Sequence, residues 1–325
     1  ILDLEDAVAP DAKALAREQV IAALDHGSYA PREVVIRING TGSPWHADDL
    51  SAAAASKADA VLLPKAEGAG QVRAVAAALP DGMELWCMIE TPLAILHAEE
   101  IAAASAKTTC LVMGTSDLAT DLNALHTPRR EPFATSLSLC LLAARAYGLA
   151  ALDGVYLDLK DDTGFEAACR HGRQFGFDGK TLIHPRQLAA ANKIFAPSID
   201  DIAEADIIVT TTPSREPLLS GEHLREGVHV TAMGSDSPEK RELDTSVMER
   251  ADHFVADTRA QSENNGELKA YAGHQPPFTV NELGKVIASG KSLRTADSQI
   301  TVCDLTGTGV QDTAIAGFAL GRLVS

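Results

Sequence analysis

The sequence lacks paired cysteines, long apolar runs and an excess of positive charge. Its five cysteines are odd in number and far apart, with no CxxC pair, which is typical of reduced thiols in a cytoplasmic protein. No apolar run approaches the roughly 20 residues of a membrane span, and no secretory signal is visible. Lys and Arg total 28 against 45 Asp and Glu, a formal net charge of -17 at pH 7. This balance argues against nucleic acid and anionic membranes as main partners, since both attract basic surfaces.

What is present is enough apolar side chain for a buried core. Apolar residues make up 46% of the sequence and charged residues 22%, and the length of 325 residues suggests two domains or one large α/β domain. Over residues 1–200, short apolar runs alternate with Ala-rich stretches of helical periodicity, and this alternation predicts βαβ units and a parallel sheet. We predict seven strands, within residues 1–8, 33–40, 59–67, 84–92, 108–118, 152–161 and 180–185.

Polar or charged side chains follow nearly every predicted strand. A (β/α)8 barrel builds its active site at the C-terminal ends of several strands, so this pattern favours a barrel over an open sheet. The chain begins without Met, inside an apolar run, and a strand there needs a neighbour for its backbone groups. We therefore expect a truncated start, with the first strand of an eight-stranded TIM barrel missing.

Two carboxylates, Glu90 and Asp117, follow adjacent predicted strands and are expected to face one point. Magnesium keeps an octahedral shell of oxygens and is often held by only one or two protein carboxylates. The pair is therefore a candidate magnesium site. The alternative is that each residue caps the helix that follows it, where Asp and Glu are also favoured.

Arg37 ends an otherwise apolar strand, VVIRIN. A guanidinium there is costly unless it meets an anion, and its planar donor fork suits a substrate carboxylate or a developing enolate. The alternative is a structural ion pair with Asp3, Glu5 or Asp6. One of these three acids is expected to orient Arg37 or a metal-bound water.

Two further candidates are less specific. Lys65 in LLPKAE is a candidate contact for a phosphate or carboxylate, with a solvated lysine as the alternative. His184 in TLIHPRQ is more typical of a structural histidine with satisfied hydrogen bonds than of a base.

Several strings in the first part together resemble the HpcH/HpaI aldolase and citrate lyase β-subunit family. They occur in order over residues 1–204 and are LDLEDAV, VIRIN, LLPKAE, MIETP, GTSDLATD, DGVYLDLKD and GFDGKTLIHPRQL. The resemblance implies a (β/α)8 barrel and a carbon–carbon lyase that acts on CoA thioesters of the malyl-CoA or citryl-CoA type. It also implies Mg2+ as cofactor, with CoA as part of the substrate, an oxo acid as product, and a homo-oligomer.

The resemblance also implies roles for individual residues. Glu90 and Asp117 match the magnesium ligands, and Arg37 matches the arginine at the carbonyl end of the substrate. Glu5 and Asp6 join Arg37 as candidate catalytic residues. The candidate substrate-binding residues are Arg37, Lys65, Gly114, Thr115 and His184. In the implied reaction a base removes the hydroxyl proton, the carbon–carbon bond breaks, and Arg37 and the metal stabilise the enolate that forms. The base itself is not assigned.

The second part, residues 205–325, resembles the C-terminal part of the ornithine cyclodeaminase and μ-crystallin family. The strings are ADIIVTTTPSREPLL, VTAMGSDSPEKRELD, DHFVADTRAQ and CDLTGTGVQDTAIA. Their pattern predicts strands within residues 206–214, 227–236, 252–260 and 300–309, and helices over residues 238–251 and 310–325. The resemblance implies part of a Rossmann-type sheet, with Asp236, Thr306 and Gly307 lining the remnant of an NAD pocket. Asp236 could equally cap a helix beginning at Ser237–Pro238.

The sequence contains no GxGxxG loop, which a dinucleotide site needs for close approach of the pyrophosphate. Gly307-Thr308-Gly309 is better interpreted as a strand-to-helix turn. NAD(H) binding is therefore doubtful. Two alternatives to the lyase stay open: an NAD-dependent enzyme of the cyclodeaminase type, and an inactive hybrid of two truncated domains. The hybrid is motivated by the absence of a Gly/Ser-rich linker near residue 204.

Overall fold

The computed structural model describes residues 1–27, 29 and 32–307. The chain divides into two compact units, Ile1–Ala196 and Pro197–Ser325. The predicted domain boundary between residues 204 and 205 falls after a short helix, Ile199–Glu204, that lies within the second unit. No helix of the described residues combines the length and the apolar character needed to cross a membrane.

The first unit is a parallel α/β structure whose strands follow chain order. Each strand pairs with the next one along the chain, giving a curled sheet in the order β1 to β7. The strands are β1 Leu2–Asp3, β2 Val35–Arg37, β3 Ala60–Leu63, β4 Glu84–Ile89, β5 Thr108–Met113, β6 Ala150–Asp153 and β7 Gly179–Lys180. The helices are α1 Lys13–His26, α2 His46–Ala54, α3 Ala69–Ala78, α4 Pro92–Leu96, α5 Ala98–Ala102, α6 Thr115–Asp121, α7 Ala134–Ala146, α8 Asp162–Phe175 and α9 Leu188–Phe195. All seven predicted strands are found.

Both faces of this sheet are covered by apolar side chains, as a parallel sheet requires. Strand β3 shows the pattern, since all four of its residues are buried. Val61 and Leu63 join the large core that the helices cover, whereas Ala60 and Leu62 join a smaller cluster on the opposite face. Helices therefore lie along one face, and the strand ends stay open for polar groups.

The second unit is a five-stranded parallel sheet with a different connectivity. Its order is β11-β10-β12-β9-β8, so the last strand of the described residues lies in the middle. The strands are β8 Ile207–Thr210, β9 His229–Ala232, β10 His253–Ala256, β11 Val280–Glu282 and β12 Thr301–Asp304. The helices are α10 Ile199–Glu204, α11 Thr245–Glu249, α12 Arg259–Asn264 and α13 Leu283–Ser289.

The predicted helix across residues 238–251 is wrong for most of its length. Residues 237–240 form a turn, Leu243 makes a β-bridge with Leu219, and only Thr245–Glu249 is helical. The reason is Glu242, whose buried carboxylate accepts hydrogen bonds from the hydroxyl group of Thr210 and the backbone of Gly234. These bonds hold the segment extended. The predicted helix over residues 310–325 lies outside the described residues.

Candidate active site

The strand ends of the first unit bring the predicted site residues to one edge of the sheet. The register pairs Asp3 with Arg37 across β1 and β2, and it pairs Ile89 with Met113 across β4 and β5. Residues that follow these strand ends therefore become neighbours. Glu90 follows β4 directly, and Gly114 follows β5 and precedes α6.

Arg37 is held by acids from the end of β1. Its Nε and Nη2 donate to the two carboxylate oxygens of Asp3 at 2.6 and 2.5 Å, a two-pronged pair. Its Nη1 lies 3.0 Å from Glu5 Oε2 and 3.7 Å from Asp6 Oδ2. Burial acts to lower the pKa of Arg37, but these acids outweigh it and raise that pKa above its usual value. Of the acids considered, Asp3 orients the arginine, and its Nη1 edge faces the rest of the site.

Lys65 follows β3 and contacts three carboxyl groups through two different atoms. Its backbone N–H donates to Glu90 Oε1 at 2.8 Å. Its Nζ lies 3.2 Å from Asp117 Oδ2 and 3.9 Å from Glu5 Oε1. Partial burial acts to lower the pKa of Lys65, and the carboxylates, Asp117 foremost, raise it above its usual value. Lys65 is therefore paired with carboxylates and also partly solvated, since 47% of its side chain is exposed.

Glu90 is buried, with 3% of its surface exposed. Burial is the main cause that raises its pKa to about 7, and the nearby Asp117 and Glu5 add to the effect. Its Oε1 is bonded by the Lys65 backbone, and within the described part of the chain Oε2 accepts no hydrogen bond. Thr91, rather than Glu90, caps the following helix α4, so the capping alternative for Glu90 is wrong.

Asp117 lies in the first turn of α6, where its charge is favourable, but it makes no side-chain capping bond. Gly114 precedes that helix and gives Glu90 its room. A methyl group on Gly114 would lie 2.6 Å from Glu90 Oε2 and closer still to Glu90 Cβ. The Glu90 carboxylate can therefore lie here only because residue 114 is a glycine.

Thr115, the first residue of α6, is buried and lines a neighbouring cavity of about 350 Å³.

The donor set fits a small divalent cation. Among the described residues, five carboxyl groups at this edge pair with two basic side chains, so the cluster has a deficit of positive charge. The acids are Asp3, Glu5, Asp6, Glu90 and Asp117, and the bases are Arg37 and Lys65. Within residues 1–27, 29 and 32–307 there is no cage of three or more His, Cys, Asp or Glu side chains. Magnesium does not need such a cage, because it keeps several waters and takes one or two carboxylates. Glu90 and Asp117 are suited to be those two.

His184 makes a local hydrogen bond at the start of a short helix. Its Nδ1 accepts a hydrogen bond from the Arg186 backbone and caps the 3-10 helix Pro185–Gln187, and its side chain is exposed. The capping bond fits the interpretation of His184 as a structural histidine, and its substrate-binding role stays a prediction.

Sequence reasoning missed a fully buried ion cluster at the ends of β6 and β7. Asp153 has no exposed surface and bonds Arg130 Nη1 at 2.7 Å and Lys180 Nζ at 2.8 Å. Burial acts to raise the pKa of Asp153, but Lys180 and Arg130 outweigh it and lower that pKa. The available signal was a lone acid at the end of a buried strand, before Gly154. Its partners come from other segments, so spacing could not reveal them.

The NAD-pocket residues predicted in the second unit have local partners. Asp236 forms an ion pair with Lys240 at 2.7 Å, and it caps no helix because residues 237–240 form a turn. Thr306 is buried, and its N and Oγ1 donate to Asp257 Oδ2 at 2.9 and 2.8 Å. Gly307 has φ +74 and accepts a bond from Gln261. Thr308 and Gly309 lie outside the described residues.

Comparison with known proteins agrees with this division of the chain. Residues 1–185 match the family model of HpcH/HpaI aldolase/citrate lyase, and residues 193–325 match that of the ornithine cyclodeaminase/mu-crystallin family. Both predicted resemblances are therefore confirmed.

Individual relatives are enzymes. A (3S)-malyl-CoA thioesterase from Cereibacter sphaeroides is 50% identical over 206 residues, which are 63% of this chain and 72% of that protein. An L-malyl-CoA/beta-methylmalyl-CoA lyase from the same species is 34% identical over 235 residues, covering 63% of this chain and 73% of the relative.

Among solved structures, the protein CitE from Mycobacterium tuberculosis in complex with magnesium, acetoacetate and coenzyme A has a TM-score of 0.53 and 36% identity. The match covers 62% of this chain and 73% of that one. The prediction of an enzyme related to carbon–carbon lyases is confirmed by these relatives. Since its model covers more than half of the residues, the chain belongs to the HpcH/HpaI aldolase/citrate lyase family.

Proposed function

We propose that the first unit is a magnesium-dependent carbon–carbon lyase that cleaves a 3-hydroxyacyl-CoA thioester into an oxo acid and an acyl-CoA. The observation that carries the proposal is the meeting of Arg37, Lys65, Glu90 and Asp117 at one edge of the sheet. A lyase needs this combination of a divalent-cation site and a fixed donor fork, because negative charge lies first on the deprotonated hydroxyl oxygen and then, as the carbon–carbon bond breaks, on the enolate of the acyl-CoA.

Each residue has a defined task in this proposal. Glu90 and Asp117 hold the metal, which when bound would polarise the oxygens of the oxo-acid portion. The Nη1 edge of Arg37 donates to the developing negative charge, and its rigidity comes from the paired bonds to Asp3. Glu5 is a candidate proton acceptor, because burial raises its pKa and outweighs the opposing effect of Arg37, whose Nη1 lies 3.0 Å away.

The CoA arm has an adjacent place to bind. A cleft of about 620 Å³ is lined by Glu5, Asp6 and Lys65 and continues to Trp45. Lys13, on the wall of this cleft, is buried beneath Trp45, and its Nζ donates to the carbonyls of Leu4 and Glu5. The cleft volume suits a flexible arm of this kind. The relative solved with coenzyme A supports the ligand class.

The fold of the first unit supports a barrel ancestry. We propose that β1 to β7 correspond to the last seven strands of a (β/α)8 barrel, whose active site also lies at the C-terminal strand ends. The predicted boundary at residue 204, the cytoplasmic location and the homo-oligomer remain part of this proposal.

Thioester hydrolysis is the second candidate. It is favoured by the 50% identity with a (3S)-malyl-CoA thioesterase. Malyl-CoA distinguishes the two reactions, because the lyase releases glyoxylate and acetyl-CoA whereas the hydrolase releases malate and free CoA.

The test is an assay of the purified chain on malyl-CoA, methylmalyl-CoA and citryl-CoA, with magnesium or with EDTA. We expect magnesium-dependent release of an oxo acid and its loss in Glu90→Gln and Asp117→Asn, by at least about a hundredfold. Glu84→Gln is the matched control, because Glu84 begins the strand that Glu90 follows. Activity that survives EDTA and Glu90→Gln would refute the metal-dependent lyase, and free CoA as the main product would favour the hydrolase.

A further inference from the structure

Lys65 has a backbone conformation that few residues other than glycine adopt. Its φ is +48, in the left-handed region, which is costly for a residue with a Cβ. This conformation aims the backbone N–H at Glu90, while the side chain reaches Asp117. The strained turn thus places one lysine between both carboxylates that the proposed function assigns to magnesium.

The ammonium group of Lys65 lies beside carboxylates that need a positive charge nearby. Its Nζ is 3.2 Å from Asp117 Oδ2 and 3.9 Å from Glu5 Oε1, so it neutralises part of the excess negative charge at the strand ends. A bound divalent cation at Asp117 would repel a positive charge at this distance. The ammonium and the metal therefore compete for the same carboxylate.

The side chain of Lys65 is free to leave. It is 47% exposed and lines the open cleft of about 620 Å³ beside Glu5 and Asp6. A lysine head on a flexible four-carbon stem re-enters water at little cost. Arg37 differs in this respect, because its paired bonds to Asp3 fix it and only 16% of its side chain is exposed.

We propose that Lys65 is a resident counter-cation of the magnesium site, which holds Asp117 and Glu5 in the metal-free protein and is displaced into the cleft when magnesium binds. The inference rests on the proposed function in its assignment of Glu90 and Asp117 as metal ligands. Displacement moves the ammonium toward the anionic substrate, so metal binding prepares the cleft for a thioester that carries carboxylate or phosphate groups.

Isothermal titration with magnesium chloride tests the competition directly. We expect Lys65→Met, which keeps the stem but removes the charge, to bind magnesium about tenfold more tightly than the parent chain, because no cation has to leave. Lys65→Arg should bind no more tightly than the parent. The matched control is Lys57→Met, because Lys57 is exposed and pairs with Asp25. This substitution changes the net charge of the chain by the same amount as Lys65→Met.

The outcomes separate the two proposals. If the parent binds magnesium and Lys65→Met binds it equally or more weakly, the counter-cation role is wrong while the metal site stands. If Lys65→Met binds magnesium and the parent chain does not, the counter-cation role is supported in its strongest form. If neither chain binds magnesium, both proposals fail.

A second measurement uses the unaltered chain and does not depend on a variant folding. Lysine acylation by acetic anhydride, read peptide by peptide with mass spectrometry, reports how free each amine is. Magnesium should raise the labelling of Lys65 several-fold and leave Lys57 in the same sample unchanged. Equal labelling of Lys65 with and without bound magnesium would overturn the inference.

Discussion

At the residue scale, Gly114 connects backbone geometry to the proposed metal site. It lies between β5 and α6 and directly against the Glu90 side chain. Its φ is negative, so the glycine is needed for space and not for a left-handed turn. A buried carboxylate can approach a helix start this closely only where the neighbouring residue has no side chain.

Gly114→Ala should therefore displace Glu90 and weaken magnesium binding by more than tenfold, with an overpacking cost of about 1–3 kcal/mol in the free energy of unfolding. Titration calorimetry and urea unfolding measure the two effects. The control is Gly70→Ala in α3, where an added methyl group meets nothing within 4 Å. Unchanged magnesium affinity in Gly114→Ala would show that Glu90 is not a ligand or does not move.

The site residues differ in how far the sequence could predict them. Arg37 stood out because a guanidinium ending an apolar strand needs an anion, yet the sequence left open which acid supplies it. The structure selects Asp3 for the paired bonds because β1 and β2 place these two residues side by side. The left-handed turn at Lys65 leaves no sequence signal, since lysine does not favour that conformation.

At the element scale, the end of β12 carries an acid that is costly to bury. Asp304 has no exposed surface, and its Oδ1 has no hydrogen-bond partner among the described residues. Oδ2 accepts from Ser262 Oγ and from the Glu267 backbone. Burial is the main cause that raises the pKa of Asp304 to about 7, and Glu267 and Asp257 add to it.

This acid should make the second unit less stable as pH rises. The folded state keeps the Asp304 proton up to a pKa of about 7, whereas the unfolded chain loses it near 3.8. The free energy of unfolding should thus fall between these two pH values, by up to about 4 kcal/mol. Burial raises the pKa of Glu267 too, and it contributes with the same sign.

Chemical unfolding at pH 5 and pH 8 measures the effect. In Asp304→Asn most of the difference should disappear, whereas Asp236→Asn, at an exposed ion pair, should keep it. A second unit that is more stable at pH 8 than at pH 5 would contradict the prediction.

The sequence predicts helices and strands correctly where the pattern of apolar residues is set by neighbouring residues alone. Apolar runs in the sequence predicted all seven strands of the first sheet and four of the second. Strand β11, Val280–Glu282, was missed because it has three residues and only Val280 is apolar. The false helix at residues 238–251 had helical composition, but the bonds made by Glu242 with β8 and the β9 loop override it. Such long-range bonds are invisible to periodicity.

At the scale of the whole molecule, the two units have separate cores. One apolar cluster is built from residues of the first unit and another from residues of the second. We therefore expect two unfolding transitions in calorimetry. Asp153→Asn should lower only one of them, since it leaves Arg130 and Lys180 without their shared anion at a cost of about 3–5 kcal/mol.

Asp304→Asn should shift only the other transition. Asp162→Asn, which breaks an exposed pair with Arg186, should move neither transition appreciably. A single cooperative transition that responds to both Asp153→Asn and Asp304→Asn would refute the independence of the units.

The different strand orders of the two sheets affect how each unit folds during its synthesis on the ribosome. In the first unit every strand pairs with its predecessor, so each new strand finds its partner already made. In the second unit β12 fills the gap between β9 and β10. Until residue 304 has been synthesised, that sheet exists only as two pairs, β8 with β9 and β10 with β11, and pairs of strands are marginally stable by themselves. The first unit can therefore fold during translation, whereas the second cannot complete its sheet until β12 has been synthesised, and until then it exposes its apolar strand faces to chaperones and to aggregation.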